Sequence, residues 1–404
     1  MPNRYLIVGG GLAADAAAKA VRSADPQGLV TLVTAENDGP YRRPHLSKAL
    51  WNGGTLDKAM LDTAKHGVGL VTGRTVISLD TASKMVTLDD GRRLPYDQVL
   101  IATGASARTL PGLAVGGPVV AYRSLDDYRT ASSRSGVGKT ALVVGGGFVG
   151  AELAAGLVNV GTEVHMAFPE TGLGANRFPD GLSRAVTDRY AERGVRIHPG
   201  VLVESAEVKG DKAEVTLDDG TTGTYDLVAV GVGAAPNVDV ARTAGLRVDD
   251  GVVVDRALRA ADPTGEPVPG VFAAGDVASF PWPEPFTRSR IEHEDAAIQM
   301  GRHAGLQMVA AASGEQPAEL DHFPFFYSDL FSDGYEAVGT LDGRLRMVED
   351  WKSPNSEGVV YYLNGDKVLG VLLWNTWGQV DAARDLIFAN EAVEPESLLG
   401  RLPR

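Results

Sequence analysis

The feature that most restricts this chain is a glycine-rich turn that occurs twice in the same setting. "RYLIVGGGLAADAAAKAV" opens with an apolar strand, continues as Gly9-x-Gly11-x-x-Ala14 and runs into an alanine-rich helix. Gly9 permits the sharp turn, Gly11 lets backbone N–H groups approach a pyrophosphate, and the small Ala14 allows close helix–strand packing. The next strand, "LVTLV", ends just before Glu36, 22 positions past Ala14 and near the spacing of a ribose-hydroxyl acceptor. "TALVVGGGFVGAELAAGL" repeats the unit with Gly145-x-Gly147-x-x-Gly150, and its following strand, "EVHMAF", leads to Glu170, 20 positions past Gly150. One such turn is weak evidence; two complete units are strong evidence.

A second repeat supports the first. "VTLDDGRRLPYDQV" at 86–99 matches "VTLDDGTTGTYDLV" at 215–228, an offset of 129, while the glycine turns are offset by a similar 136. Each copy alternates as a strand does, turns at Asp-Gly and leads to an apolar strand ending in glycine, "LIATGA" and "VAVGVGA". The chain therefore carries two related dinucleotide-binding domains, and one polypeptide holds two dinucleotides.

Composition narrows the chemistry. With 404 residues, two or three domains are expected. No cysteine is present, so a disulfide framework, a thiolate metal site and a dithiol relay are excluded, and no metal site is expected. A net charge of −14 opposes nucleic-acid binding, which depends on neutralising phosphates. No stretch reaches the length of a membrane span, and the opening lacks the long apolar run of a signal peptide. A cytoplasmic protein is expected.

The two glycine units, together with "GVFAAGDVASF" at 270–280, resemble the two-dinucleotide flavoprotein superfamily that includes glutathione reductase. Within it the chain is similar to apoptosis-inducing factor and to the NADH-dependent ferredoxin and rubredoxin reductases. "PYRRPHLSKALW" at 40–51 matches both groups. "FPETGLG" at 168–174, "RIEHEDA" at 290–296, "YSDLFSDGYEAVG" at 327–339 and "VLLWNTWGQVDAARDLI" at 371–387 lean towards apoptosis-inducing factor. Tyr327 occupies the place of a tryptophan common to both groups. The loop after Lys48 is too short for the animal factor's regulatory hairpin, and neither its long C-terminal insertion nor a mitochondrial targeting segment is seen.

The resemblance implies FAD in the first domain and NADH in the second. It assigns to FAD Gly9, Gly10, Gly11, Leu12, Ala13, Ala14, Glu36, Arg43, Lys48, Val76, Ala102, Gly104, Arg123, Asp276, His293 and Tyr327. To NADH it assigns Gly145, Gly146, Gly147, Phe148, Val149, Gly150, Glu170, Gly233, Glu292 and Glu336. The acid at Glu170 favours NADH over NADPH, because it accepts from a ribose diol and repels a 2′-phosphate. Lys48 is expected beside the flavin, with Glu152 as its partner; Lys48, Glu152 and His293 are the candidate catalytic residues. A lysine at the flavin edge stabilises negative charge as hydride arrives.

The expected fold is α/β, with two Rossmann-like domains and a C-terminal α+β domain. The NADH domain, 117–236, is inserted in a split FAD domain, 1–116 and 237–310, and residues 311–404 follow as alternating strands and a closing helix. The leading expectation is an FAD-dependent NADH oxidoreductase passing hydride to flavin and electrons to a non-thiol acceptor: a ferredoxin-like protein, a quinone or oxygen. The alternative is a redox-controlled binding protein with slow turnover, a persistent reduced flavin–NAD charge-transfer complex and a redox-dependent homodimer.

Overall fold

The computed structural model describes residues 1–403, and the chain divides into two units. The first comprises Met1–Arg43, Leu56–Ser106 and Ala235–Pro324. The second comprises Pro44–Thr55, Ala107–Ala234 and Phe325–Arg404. It thus groups the second glycine turn with the "LSKALW" segment and the C-terminal strands.

The first unit is built on a six-stranded sheet. Its order is Arg259–Ala261, Pro267–Ala273, Gln98–Ile101, Arg4–Val8, Leu29–Val33 and Gly69–Val71, parallel except at the Arg259–Ala261 edge. Ile7, Leu32, Leu100, Ile101 and Phe272 are almost fully buried, as the near-continuous apolar runs of a doubly covered parallel sheet require. Each such side chain contributes about 1.5–3 kcal/mol. The helix Leu12–Ala24 lies against the helix Glu294–Ala312. Their approach is set by small residues: a Cβ on Gly301 or Gly305 would stand 2.2 or 2.5 Å from the carbonyl oxygens of Ala13 and Ala17. The predicted hairpin is present as Met85–Leu88 and Arg93–Pro95, joined by Val76–Asp80 into a small antiparallel sheet.

The second unit repeats this plan. Its parallel sheet runs Arg196–Pro199, Glu163–Phe168, Thr140–Val144, Leu227–Val230 and Val119–Ala121. A three-stranded antiparallel sheet, Val203–Lys209, Lys212–Leu217 and Thr222–Tyr225, contains the second hairpin. One core joins the two sheets through Leu142, Val144, Val215, Leu217, Val228 and Val230. The C-terminal strands form a five-stranded antiparallel sheet ordered Phe325–Leu330, Asp333–Gly339, Lys367–Trp374, Glu357–Asn364 and Arg346–Ser353, followed by the helix Val380–Ala389. The strand Arg346–Ser353 was not evident in the sequence. It is an edge strand, "RMVEDWKS", in which only Asp350 is buried, so no clean apolar alternation marks it.

The repeat also places one carboxylate twice. Asp97 accepts the backbone N–H of Arg4 at 2.8 Å and returns its own N–H to the Arg4 carbonyl. Asp226, at the matching place in the second copy, does the same with Thr140, at 3.0 Å. Each aspartate pins the first residue of its unit's central strand.

Candidate functional site

In the first unit, Gly9 has φ +135°, and a Cβ there would lie 1.9 Å from the Ala102 carbonyl oxygen. A Cβ on Gly10 would collide with the Thr34 hydroxyl at 2.4 Å, yet one on Gly11 meets nothing within 4 Å. The turn is therefore closed underneath and open on the Gly11 side. Gly11 is also the N-cap of the helix Leu12–Ala24 and offers no side-chain cap, so the first N–H groups of that helix are available to an anion. Leu12 and Ala13 begin that helix, Ala14 is fully buried in it, and Gly104 has φ +66°. The Gly275–Asp276 turn packs on the same helix, since a Cβ at Gly275 would stand 2.9 Å from that of Ala13.

Glu36 is not an isolated acceptor. Its Oε1 receives Arg43 Nη2 at 2.7 Å and its Oε2 receives the Tyr41 hydroxyl at 2.6 Å. Burial works against the Arg43 charge, but Tyr41, Glu36 and Asp276 outweigh it and hold the guanidinium pKa above its usual value. Glu292 is paired with Arg290 at 2.5 Å, and Arg290 also donates to the Asp276 carbonyl at 2.9 Å. His293 is the N-cap of the helix Glu294–Ala312, and Val76 is buried at the start of its strand. Tyr41 was not anticipated; a tyrosine among prolines and arginines carries no local sign of its partner.

In the second unit, Gly145 has φ +113° and would clash with the Gly231 carbonyl oxygen at 2.5 Å; Gly146 would meet the Phe168 ring at 2.9 Å. Gly147, like Gly11, faces open space and caps its helix without a side chain, while a Cβ on Gly150 would fall 2.1 Å from the Gly145 carbonyl oxygen. The Phe148 ring lies beneath the Arg177 guanidinium at 4.4 Å, and Val149 is partly exposed. The Glu170 side chain has no hydrogen bond or ion pair among the described residues, while its carbonyl accepts the Gly200 N–H at 2.9 Å. Gly233 has φ +99° and its carbonyl accepts the Arg108 N–H; the Arg123 N–H bonds to Asp127. Glu336 lies opposite Tyr327 and accepts the Gly378 N–H at 3.2 Å.

Lys48 and Glu152 do meet. Lys48 Nζ lies 2.5 Å from Glu152 Oε1, with only 6% of the glutamate side chain exposed. The same ammonium stands 4.6 Å over the Tyr327 ring and 3.7 Å from Asp329. Two further donors, Ser47 and Ser328, reach the Glu152 carboxylate at 2.6 Å each. Burial, and then the Glu152 charge, push the hydroxyls of Tyr190 and Tyr335 well above the ordinary tyrosine range. Neither serine was anticipated. Both lie inside recognised motifs, but nothing local says where a serine hydroxyl points.

Two closed-bottom, open-topped glycine turns fit two pyrophosphates, and the helix opened by the second carries the buried glutamate of the Lys48–Glu152 pair. These features define the class of the two-dinucleotide flavin reductases, NADH-dependent and using FAD, in a chain with no cysteine. The chain belongs to the pyridine nucleotide-disulphide oxidoreductase family, matched over residues 3–301, and residues 349–389 match the C-terminal domain of mitochondrion-associated apoptosis-inducing factor. It is 32% identical to apoptosis-inducing factor 1, mitochondrial, of Dictyostelium discoideum, across 97% of this chain and 79% of that protein. It is 31% identical to the ferredoxin–NAD(+) reductase component of the anthranilate 1,2-dioxygenase system of Burkholderia cepacia, across 98% and 96%. The structure of the covalent putidaredoxin reductase–putidaredoxin complex superposes with a TM-score of 0.87 at 29% identity, covering 98% of this chain and 95% of that one. Among the described residues no helix is long and apolar enough to cross a membrane.

Proposed function

We propose that this oxidoreductase delivers electrons from NADH to a small iron–sulfur protein of the ferredoxin type. FAD, when bound, takes up two electrons together and releases them singly, which is the chemistry such an acceptor requires. The observation that carries the reading is the Lys48–Glu152 pair in a chain without cysteine: a largely buried cation is held by a buried carboxylate, and no dithiol is present to take the electrons. The likeness to a ferredoxin–NAD(+) reductase component over nearly the whole of both chains supports the choice of acceptor. In this reading Gly9 to Ala14 hold the FAD pyrophosphate, with Glu36 and Arg43 beside the ribose. Val76, Ala102, Gly104, Arg123, Asp276, His293 and Tyr327 line the rest of the FAD site. Gly145 to Gly150 hold the NADH pyrophosphate, Glu170 accepts from the ribose hydroxyls, and Gly233, Glu292 and Glu336 complete the NADH site. Lys48 presents positive charge to the reacting edge of the flavin, and Glu152 keeps the ammonium there. A cytoplasmic location, where NADH is generated, goes with this reading.

The test is steady-state NADH oxidation by the FAD-loaded protein with a [2Fe–2S] ferredoxin, a benzoquinone and oxygen compared at equal concentration. Turnover with the ferredoxin at least tenfold above the others is expected; equal or lower turnover overturns the acceptor. A second reading draws on the match to the apoptosis-inducing factor C-terminal domain. There the chain turns over slowly and NADH changes its self-association, which sedimentation with and without NADH measures directly.

A further inference from the structure

The Glu152 carboxylate collects more donors than an ion pair needs. It sits on the second turn of the helix Phe148–Asn159 and is almost fully buried. Its Oε1 receives both Lys48 Nζ, at 2.5 Å, and Ser328 Oγ, at 2.6 Å; its Oε2 receives Ser47 Oγ, at 2.6 Å. The two serines are 105 and 176 positions away in sequence, and both are themselves buried. A carboxylate this deep is tolerated only when paired and hydrogen-bonded.

A second carboxylate competes for the same ammonium. Asp329, next to Ser328 on the strand Phe325–Leu330, places Oδ2 3.7 Å from Lys48 Nζ, and 58% of its side chain is exposed. In Coulomb terms, an exposed aspartate at that distance attracts a lysine without the desolvation that Glu152 demands. Lysine is long and has several rotatable bonds, so the pair alone does not fix its direction. Tying Oε2 through Ser47 and Oε1 through Ser328 stops the carboxylate rotating about its last torsion, and this keeps Oε1 aimed at the ammonium 2.5 Å away. We infer that Ser47 and Ser328 are positioning residues for Lys48, acting through Glu152 to keep its ammonium from following Asp329. The inference rests on the proposed role of Lys48 beside the flavin.

The experiment measures anaerobic flavin bleaching by NADH in the FAD-loaded full chain, by stopped flow, for S47A, S328A, S328T, S328A/D329N and each serine change within K48M. Loss of either hydroxyl is expected to slow bleaching roughly tenfold, the size of effect a displaced charge produces. FAD content and the apparent Kd for NADH stay unchanged. S328T, which keeps the hydroxyl, restores the rate, and S328A/D329N recovers most of it because the competing carboxylate is gone. In the K48M background, where no ammonium remains to position, the serine changes have no further effect. Slowing by S328A that persists in K48M, or that D329N does not relieve, overturns the inference. A K48M protein that bleaches at the wild-type rate overturns the role of Lys48 itself, a different result seen in that variant alone. Thermal melting supplies a readout independent of turnover. S328A should lower the Tm of wild type but not of E152Q; equal drops in both would show that the serine does not act on the carboxylate.

Discussion

The two glycine turns come from one duplicated plan, and they differ at the third motif residue, Ala14 against Gly150, and at the acid. In the first unit that residue is Ala14, fully buried, and glycines on an opposing helix, Gly301 and Gly305, let that helix approach closely. In the second the matching residue in the opening helix must have no side chain: a Cβ at Gly150 would sit 2.1 Å from the Gly145 carbonyl oxygen. The acids diverge further. Glu36 is held by Tyr41 and Arg43, whereas the Glu170 side chain has no partner among the described residues. A site whose acceptor is already locked suits a group that stays; an acceptor without a protein partner suits one that arrives and leaves, since no internal bond must break first. Under the proposed assignment of FAD to the first turn and NADH to the second, residues outside the motif would tune it for retention or exchange.

The largest effect expected from this comparison is at Gly150. Gly150→Val drives a side chain into the Gly145 carbonyl, so flavin reduction by NADH should fall at least a hundredfold while the yellow colour remains. Loss of FAD from that variant would break the assignment of the second turn to NADH. Next is Lys48→Met, expected to slow flavin bleaching about thirtyfold in stopped flow with FAD still bound. Smaller again, Glu170→Ala should raise the apparent Kd for NADH roughly tenfold with no change in FAD content. Equal weakening of both cofactors would remove the contrast between the two acids.

The smallest expected effect concerns the duplicated aspartates. The Arg4 side chain, despite some burial, holds the Asp97 pKa down at about 2. Burial acts the other way on Asp226, but the Thr140 N–H, Lys139 and Lys212 outweigh it and bring that pKa to about 2 as well. Because the folded values lie below the unfolded ones, each carboxylate stabilises the protein above about pH 4, and that contribution is lost as pH falls towards 2. Asp226→Asn should lower Tm by about 1–3 °C at pH 7 and flatten the acid limb of the stability profile. Asp97→Asn should do less, because the Asp97 side chain is 32% exposed against 6% for Asp226 and its attraction to Arg4 is screened by solvent.

What the residue order determined by itself is the local and the repeated. Strand, glycine turn and helix are contiguous, and their demands on backbone angle and side-chain volume are written in adjacent residues, so both dinucleotide units, both hairpins and the absence of sulfur chemistry were legible. The Lys48–Glu152 pair was reached through resemblance rather than through spacing. Only the tertiary structure decided that Asp329 also approaches Lys48, that Ser47 and Ser328 secure Glu152, that Tyr41 and Arg43 occupy Glu36, and that the edge strand Arg346–Ser353 completes the C-terminal sheet. For the two serines the physical reason is range. A hydroxyl donates to whatever acceptor the folded chain brings within 3 Å, and residues more than a hundred positions apart leave no periodicity to read.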